Sequence, residues 1–200
     1  RDRVKSMNES IYYTVDRIHE AIAENKQIRF RYFDWGVDRR KHERPGEYFA
    51  SPYALVWDNE NYYLIAYDPS APEGSRIRNY RVDKMENIQL TEEKREGAQH
   101  FRGSFSPAAY SRKMFGMFSG HEEIVRLRCR KDAINILRDR FGSELMVQPD
   151  DSTHFFASVT VAVSPQFYAW VVGLNGAVRI VAPQHVCDSF RKLLLEQLEE

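Results

Sequence analysis

The stretch that most restricts the fold is NYYLIAYD, residues 61–68, which is apolar or aromatic at nearly every position. Successive side chains of a strand point to opposite faces, and a strand with one face in water alternates apolar with polar residues. The two faces predicted here consist of Tyr62, Leu64 and Ala66, and of Tyr63, Ile65 and Tyr67. Both faces therefore need cover, which the same chain, a partner or a ligand could supply.

Composition indicates a globular protein and excludes several classes. The chain has 200 residues, of which 42% are hydrophobic and 13% aromatic, and its net charge is zero. No field of the whole molecule can then attract nucleic acid or an anionic membrane, so charge recognition must be local. Cys129 and Cys187 lie far apart in apolar contexts, which predicts buried free thiols in a reducing cytoplasm.

We expect no transmembrane helix in this sequence and no signal peptide at its start. No apolar run approaches the roughly 18 residues of a transmembrane helix, and the opening RDRVKSMNES has no apolar signal-peptide core. Because the sequence does not begin with methionine, we expect a piece of a longer cytoplasmic protein.

The first half predicts a helix followed by about five strands. Residues 8–25 place isoleucine or valine every three or four positions, which indicates one helical face, with Asn8 or Ser10 as the cap. The pattern then changes to a period of two, and residues 38–46 form a polar connection. The predicted strands cover residues 26–35, 48–58, 61–68, 76–82 and 85–93. Several short strands at this spacing are typical of a small barrel.

Residues 97–120 differ in composition from the segments before and after them. They are rich in aromatic residues and glycine and only weakly periodic. We interpret them as a linker that docks on the protein, with a short helix over residues 107–113, because an isolated linker would not carry four phenylalanines.

The second half predicts the order β-α-β-β-α-β-α. A helix over residues 131–142 ends at Gly142, and another over residues 164–176 opens with Ser164 as cap and Pro165 in the first position. Strands are expected over residues 122–129, 144–150, 153–163 and 177–182, and a last helix over residues 183–200. This order matches a ferredoxin-like sandwich, so the whole chain is predicted to be α+β.

Motifs of known enzyme chemistry are absent from the sequence. The six histidines are scattered, the cysteines lack the spacing of metal ligands, and neither a glycine-rich phosphate loop nor a Gly-x-Ser-x-Gly elbow occurs. The acidic pairs at 122–123 and 150–151 fall in predicted turns, where solvation explains them. We therefore predict no catalytic residues, no metal and no cofactor, although catalytic groups can also assemble only in space.

Local charge favours a binding surface. Residues 26–44 contain seven Lys or Arg against three acids, and residues 76–84 contain four against one, interleaved with aromatic residues. Arginine forms bidentate hydrogen bonds with phosphate, and aromatic rings stack on bases. A site for a nucleotide or for single-stranded nucleic acid needs both kinds of side chain. The competing interpretation is a half-buried sheet whose rings form the core and whose arginines are solvated.

Four sequence elements resemble the WYL domain of bacterial transcription regulators. The Pro-Tyr-x-Leu strand corresponds to residues 52–55, and the name-giving triplet to residues 62–64, with Tyr in place of Trp. The segment at 78–85, RNYRVDKM, corresponds to the family's Arg-x-Phe-Arg-Leu-Asp-Arg-Ile. The second half, from residue 111 to 183, resembles the WCX extension that follows WYL in these regulators.

The resemblance implies a Sm/SH3-like barrel that senses a ligand and a ferredoxin-like domain used for dimerisation. It implies a homodimer, promoter DNA bound through an N-terminal winged helix-turn-helix that this chain lacks, and nucleotides or single-stranded nucleic acid as ligands. The expected domains are a connector helix (1–25), the WYL barrel (26–96), a docking linker (97–120) and the WCX domain (121–200).

Candidate ligand contacts follow from the resemblance. Arg78 and Arg81 match its basic positions, although a regular strand would point them to opposite sides, so that one of them could be structural. Lys84 keeps the charge of an arginine but loses the planar fork. The full set of expected ligand-binding residues is Arg31, Tyr32, Ser51, Tyr53, Tyr63, Arg78, Arg81 and Lys84. Of these, Tyr63 could equally be core.

The sequence is thus interpreted as the sensory and dimerisation region of a cytoplasmic regulator, not an enzyme and not a membrane protein. A ligand would favour one dimer geometry and so reposition the DNA-binding modules. Two alternatives stay open, namely an enzyme acting on nucleotides or nucleic acid and a dimerisation module without ligand. Phe167, Tyr168 and Trp170 are expected in the core or the dimer interface.

Overall fold

The fold is α+β, as predicted, in a computed structural model that describes residues 9–103 and 105–199. The chain divides into two compact units between Ala108 and Ala109. The first contains a curled antiparallel sheet and one long helix, and the second contains a four-stranded antiparallel sheet with helices. The expected cap residue Asn8 and the side chain of Ser10 lie outside what the structure describes.

The first helix, α1 (Glu9–Ala23), covers the open core of the first sheet. Ile18 and Ala21 on its apolar face are fully buried, and its predicted isoleucines and Val15 pack against the same core. Asn25, with φ of 57°, then turns the chain into the first strand. An asparagine tolerates this left-handed conformation better than most residues do.

Six strands form the curled sheet: β1 (Lys26–Trp35), β2 (Lys41–Glu43), β3 (Tyr48–Asp58), β4 (Asn61–Tyr67), β5 (Ile77–Arg81) and β6 (Met85–Lys94). Their order is β2-β1-β3-β4-β5, and β6 pairs with β1. β1 can serve three partners because its register to β6 shifts twice, which bends the strand. A short 3₁₀ turn, Val82–Lys84, links β5 to β6 and completes a half-barrel.

The polar connection predicted over residues 38–46 contains a strand that its composition hid. β2 pairs with the end of β1 although all three of its side chains are exposed. Its side chains form ion pairs at the surface, such as Glu43 with Arg31, and none of them is buried, so no apolar pattern predicts the strand. By contrast, the β3–β4 turn was visible in the sequence, and Asn59 and Glu60 both have positive φ, as a type I′ turn requires.

The chain itself covers the second face of β4. Leu64 and Ala66 lie in the half-barrel core, while Tyr63, Ile65 and Tyr67 on the opposite face are also buried. A 3₁₀ turn at Ala98–Phe101 lies against this second face, where the His100 ring stacks on Tyr67 with centroids 5.4 Å apart. The first part of the segment expected to dock therefore docks on the half-barrel.

The second unit has the ferredoxin-like arrangement that its element order predicts. After α2 (Pro107–Lys113) come β7 (His121–Arg130), α3 (Ile134–Phe141), β8 (Val147–Pro149), β9 (His154–Val163), α4 (Pro165–Gly173), β10 (Val178–Ala182) and α5 (Gln184–Glu196). The sheet order is β10-β7-β9-β8 with every pair antiparallel. The strand predicted over residues 144–150 shrinks to the three residues of β8.

The helix caps and the core of this unit agree with what the sequence predicts. The Ser164 hydroxyl accepts a hydrogen bond from the Phe167 amide at 3.3 Å, and Gly142 ends α3 with φ of 100°. Phe167 and Tyr168 are buried in the core, and Trp170 packs against it. Burial also raises the pKa of the Cys129 thiol to about 12, so it is an inert core side chain.

Two glycines test the docking on β4 of the 3₁₀ turn Ala98–Phe101, which we call the post-barrel turn. Gly97 has φ of 80°, and a Cβ there would lie 2.3 Å from Cγ of Tyr67. Gly46 has φ of 85° and no atom within 4 Å of the same position. We expect both alanine variants to lose about 1 kcal/mol from the left-handed backbone, and Gly97→Ala to lose about 1–3 kcal/mol more from overpacking. Urea denaturation measures both, and equal losses would contradict the close packing.

Candidate functional site

Four aromatic rings form the centre of the half-barrel: Phe30 and Tyr32 on β1, Tyr48 on β3 and Tyr80 on β5. Every pair of rings is in contact, with centroids between 5.1 and 6.4 Å apart. Phe30 faces Tyr48 directly in the β1–β3 register. Edge-on and offset contacts of this kind stabilise a core beyond the area they bury.

Each hydroxyl of this tyrosine cluster has a polar partner. The Tyr32 hydroxyl accepts from the Arg81 amide at 3.1 Å, Tyr80 donates to Asp68 at 3.1 Å, and Tyr48 is hydrogen-bonded to the Arg44 side chain. Burial raises the pKa of Tyr32, and burial together with the Asp68 carboxylate raises that of Tyr80. The Tyr32 and Tyr80 hydroxyls therefore stay neutral, and the cluster is polar at its rim and apolar within.

Arg78 and Arg81 lie on opposite faces of β5. Arg81 pairs with Tyr63, and Arg78 pairs with Ala66 on the core side. The Arg81 guanidinium is held by both oxygens of Asp83, at 3.0 and 2.7 Å, and by Asn61 at 3.0 Å. These bonds raise its pKa and fix its position, with Asp83 contributing most.

The Arg78 side chain is exposed and forms no ion pair or hydrogen bond with the residues that the structure describes. It lies on the same side of β5 as Tyr80, whose pKa is raised by burial and by Asp68, and the charge of Arg78 offsets a part of that rise. An uncompensated guanidinium at the rim of an aromatic cluster is the feature of this half-barrel best suited to bind an anion.

Most of the other basic side chains of the predicted surface form ion pairs, although exposed Arg39 and Arg40 form none among the described residues. Asp34 accepts from Arg44 at 2.6 Å and from Lys84 at 2.8 Å. Arg31 binds Glu43 at 2.9 Å. Further ion pairs join Arg29 to Glu47, Lys41 to Glu86 and Lys26 to Glu24. The excess of Lys and Arg over residues 26–44 is therefore largely paired across the sheet, which is closer to the solvated-face interpretation.

Ser51 and Tyr53 hold the chain that leaves β6. The Ser51 hydroxyl accepts from the Glu96 amide at 2.8 Å, and the Tyr53 hydroxyl donates to the Glu96 carbonyl at 2.7 Å. Their hydrogen-bonding capacity, which the sequence suggested for a ligand, is used within the protein.

The structure thus separates the eight candidate residues instead of gathering them. Tyr32 and Arg78 belong to the tyrosine cluster and its rim, Tyr63 and Arg81 to the opposite face, and the others to ion pairs or to the post-barrel turn. Sequence reasoning omitted four residues at the cluster from the site, namely Arg44, Tyr48, Asp68 and Tyr80. The one available signal was parity, since Tyr80 follows Arg78 by two residues on a strand and must share its face.

Residues 9–103 and 105–199 contain no group of three or more His, Cys, Asp or Glu side chains arranged to hold a metal ion. Within the same ranges, no helix combines the length and the apolar character needed to cross a bilayer.

Family models match both units of the chain. One described as the WYL domain matches residues 13–90, and one described as the WCX domain matches residues 121–198. No curated protein matches the chain by sequence.

The solved structures that are similar to the chain include the following two. Proteasome accessory factor B/C (PafBC) of Arthrobacter aurescens is 21% identical, with 99% of this chain and 29% of that chain covered and a TM-score of 0.41. A CRISPR Cas-related protein is 13% identical, with 94% of this chain and 52% of that chain covered and a TM-score of 0.53. The chain spans less than two thirds of either structure, and the second similarity concerns the fold alone.

The Asp34 ion pairs predict a pH dependence of stability. The Arg44 and Lys84 hydrogen bonds lower the Asp34 pKa from 3.8 to about 2. A carboxyl group with a lowered folded-state pKa stabilises the fold above its unfolded pKa, and this stability is lost as pH falls through the folded pKa. We expect Asp34→Asn to be less stable than the wild type at pH 6 and to approach it at pH 2.

Urea denaturation at several pH values measures this difference. Asp16→Asn is the control, because Asp16 is exposed on α1 and has no ion pair among the described residues. A stability difference between Asp34→Asn and the wild type that stays constant from pH 6 to pH 2 would refute the assignment.

Proposed function

This chain belongs to the WYL family, with a WCX domain after its WYL domain, and we propose that it is the effector-sensing and dimerisation region of a bacterial transcription regulator. Its WYL half-barrel would bind a nucleotide or a single-stranded, nucleic-acid-like anion. DNA binding would belong to a winged helix-turn-helix domain of the longer, cytoplasmic protein. No catalytic role is proposed.

The observation that carries the ligand proposal is Arg78. In the half-barrel face made by β1, β2 and the start of β6, basic side chains meet carboxylates of the same chain, whereas Arg78 is exposed and uncompensated beside Tyr80. A phosphate placed there gains a charge-assisted hydrogen bond without first breaking an internal ion pair. Because Tyr80 is neutral and bonded to Asp68, the rim beside Arg78 is already ordered.

Arg81 acts as a positioning residue in this proposal. Its side chain ties Asn61 at the start of β4 to Asp83 in the 3₁₀ turn, and its amide binds Tyr32. Through these contacts it fixes the strand that presents Arg78. Lys84, bonded to Asp34, would contact a ligand only by giving up that carboxylate.

Exposed apolar side chains on the second unit support its use in dimerisation. Ile124 is 70% exposed, Met146 78% and Leu198 82%. Exposed apolar side chains of this size are of the kind that a subunit interface buries. A ligand that binds one dimer geometry more tightly would shift the population toward it, and so move the DNA-binding domains.

Removal of Arg78 tests the proposed site. We expect Arg78→Gln to weaken binding of a fluorescein-labelled five-nucleotide DNA strand by about tenfold or more, since a hydrogen bond to a charged group contributes roughly 1.5–3 kcal/mol. Its melting temperature should equal that of the wild type, because no internal contact is lost. Fluorescence anisotropy at two salt concentrations, with thermal denaturation of the same samples, measures both.

Two further variants make the result specific. Arg31→Gln, which removes an arginine already paired with Glu43, should bind like the wild type. Arg81→Gln should lower the melting temperature as well as the affinity. Wild-type affinity in Arg78→Gln, or an affinity insensitive to salt, would refute the proposed contact. Release of shortened strands after incubation would favour the enzyme alternative, and no binding by the wild type would favour a dimerisation module.

A further inference from the structure

The sheet of the second unit has an open edge where β8 ends. β9 pairs with β7 along its whole length, whereas the three residues of β8 cover only residues 155–157 on the other side of β9. Beyond them, no strand of the described residues pairs with this side of β9. The strand is therefore open on one side from Ser158 onward.

The backbone of Ser158 and Thr160 points to this open edge. The His154 carbonyl accepts from the Asp150 amide, just after β8, at 3.2 Å, so the backbone of His154 faces the β8 side. Successive residues of an antiparallel strand direct their N–H and C=O groups to opposite neighbours, and the register between β7 and β9 runs without a shift. Ser158 and Thr160, at even spacing from His154, therefore face the same side, where the described residues offer no strand to pair with.

The edge lacks the features that usually protect an exposed strand. Natural edge strands carry charged residues, proline or a bulge, which prevent pairing with another chain. Residues 155–163 contain neither a charged residue nor a proline, and their pairing with β7 shows no bulge. Valine and threonine predominate near the open part, and both favour extended backbone. An edge of this kind is suited to the addition of one more strand.

A cavity of about 270 Å³ lies along the edge and forms a groove. Residues 158–160 line it together with Ala109 of α2, Phe141 at the end of α3 and Leu145 in the loop that follows. Phe141 and Leu145 are half-buried and pack against the core of this unit. The groove thus offers polar backbone groups beside an apolar surface, which are the two contacts that an extended peptide makes when it joins a sheet.

The position of β8 favours a short peptide over a second copy of this chain. Antiparallel pairing of residues 158–160 with the same residues of a second copy would carry the rest of that copy's β9 into the position that β8 occupies. A short extended segment of another protein avoids this collision.

Two charged side chains in the lining of the groove define the chemistry of the partner. Arg112 on α2 and Glu144 after α3 are exposed, and neither forms an ion pair among the residues that the structure describes. Lys113 also lines the groove, but it is paired with Glu122 at 2.8 Å. A segment with one acidic and one basic side chain complements both free charges, whereas a segment of uniform charge meets one like charge.

We propose that the open edge of β9 is a docking site for an extended peptide segment of a partner protein, which adds to the sheet beside Ser158 and Thr160. An apolar side chain of the segment packs on Phe141 and Leu145, and a carboxylate pairs with Arg112. The site lies within the second unit and does not require the ligand proposed for the half-barrel, so that failure of either proposal leaves the other standing.

The test selects binders to the whole 200-residue chain from a phage library of random octapeptides, and one enriched, fluorescein-labelled peptide is then titrated by anisotropy. We expect the enriched peptides to contain alternating apolar residues with one acidic and one basic residue. Thr160→Pro should weaken binding about tenfold or more, because it removes an edge amide and places a ring in the path of the peptide. Thr160→Val keeps the amide and should bind like the wild type.

Hydrogen exchange and a charge variant identify the contacts. The amides of Ser158 and Thr160 should exchange more slowly when the peptide is bound. Arg112→Gln should weaken binding about two- to fivefold, the range of an exposed ion pair. Arg179→Gln is the matched control, because Arg179 is an exposed arginine of β10 without an ion pair among the described residues, and it should leave the affinity unchanged.

Three results would overturn the docking site: no enriched peptide, wild-type affinity in Thr160→Pro, or unchanged exchange of the two amides when the peptide binds. Thermal denaturation shows whether Thr160→Pro is folded, and if it is not, the exchange of the two amides decides. Slow exchange in the chain alone that increases with protein concentration would show that a second copy occupies the edge, and would equally overturn the peptide partner.

Discussion

The curl of the first sheet depends on the contact between four aromatic rings. Phe30, Tyr32, Tyr48 and Tyr80 come from three strands, and each ring touches the other three. A flat sheet would hold rings of strands as separate as β1 and β5 apart, so their contact requires the sheet to close toward itself. The hydroxyls then determine what surrounds the cluster, because buried phenols need polar partners. The amide of Arg81 and the carboxylate of Asp68 supply two of them, and so connect the 3₁₀ turn and the β4–β5 loop to the core.

The distribution of ion pairs matters more for binding than the number of basic residues. Along β1 and β2 the arginines meet Asp34, Glu43 and Glu47, and exposed pairs of this kind contribute little to stability while they cancel the local field. The Arg78 side chain forms no ion pair among the described residues and adjoins the aromatic cluster, so this place combines the properties that nucleotides and single strands need. A neutral chain can in this way carry a local site for anions.

The post-barrel turn supplies part of the cover of β4. Gly97 allows the backbone to approach Tyr67 more closely than any side chain would permit, and its φ of 80° suits glycine. The turn lies against the second face of β4, where the His100 ring stacks on Tyr67. The question raised by NYYLIAYD is answered within the chain, since the core, α1 and the turn together cover this part of the sheet. Neither a partner nor a ligand is needed to bury Tyr67.

The sequence by itself determined the fold class and most of the elements, because hydrophobic period, caps and turn residues are local signals. The helix over residues 8–25, the β3–β4 turn and the Ser164 cap are examples. The sequence did not predict β2, because its exposed side chains show no alternation of apolar and polar residues. It also could not assign the candidate site residues to different faces of the sheet. Only the tertiary structure decided that Arg81 is tied to Asp83 while Arg78 is not, and that Ser51 and Tyr53 bind Glu96. Ion pairs and ring stacks between residues far apart in the chain depend on strand register and curl, which no local pattern encodes.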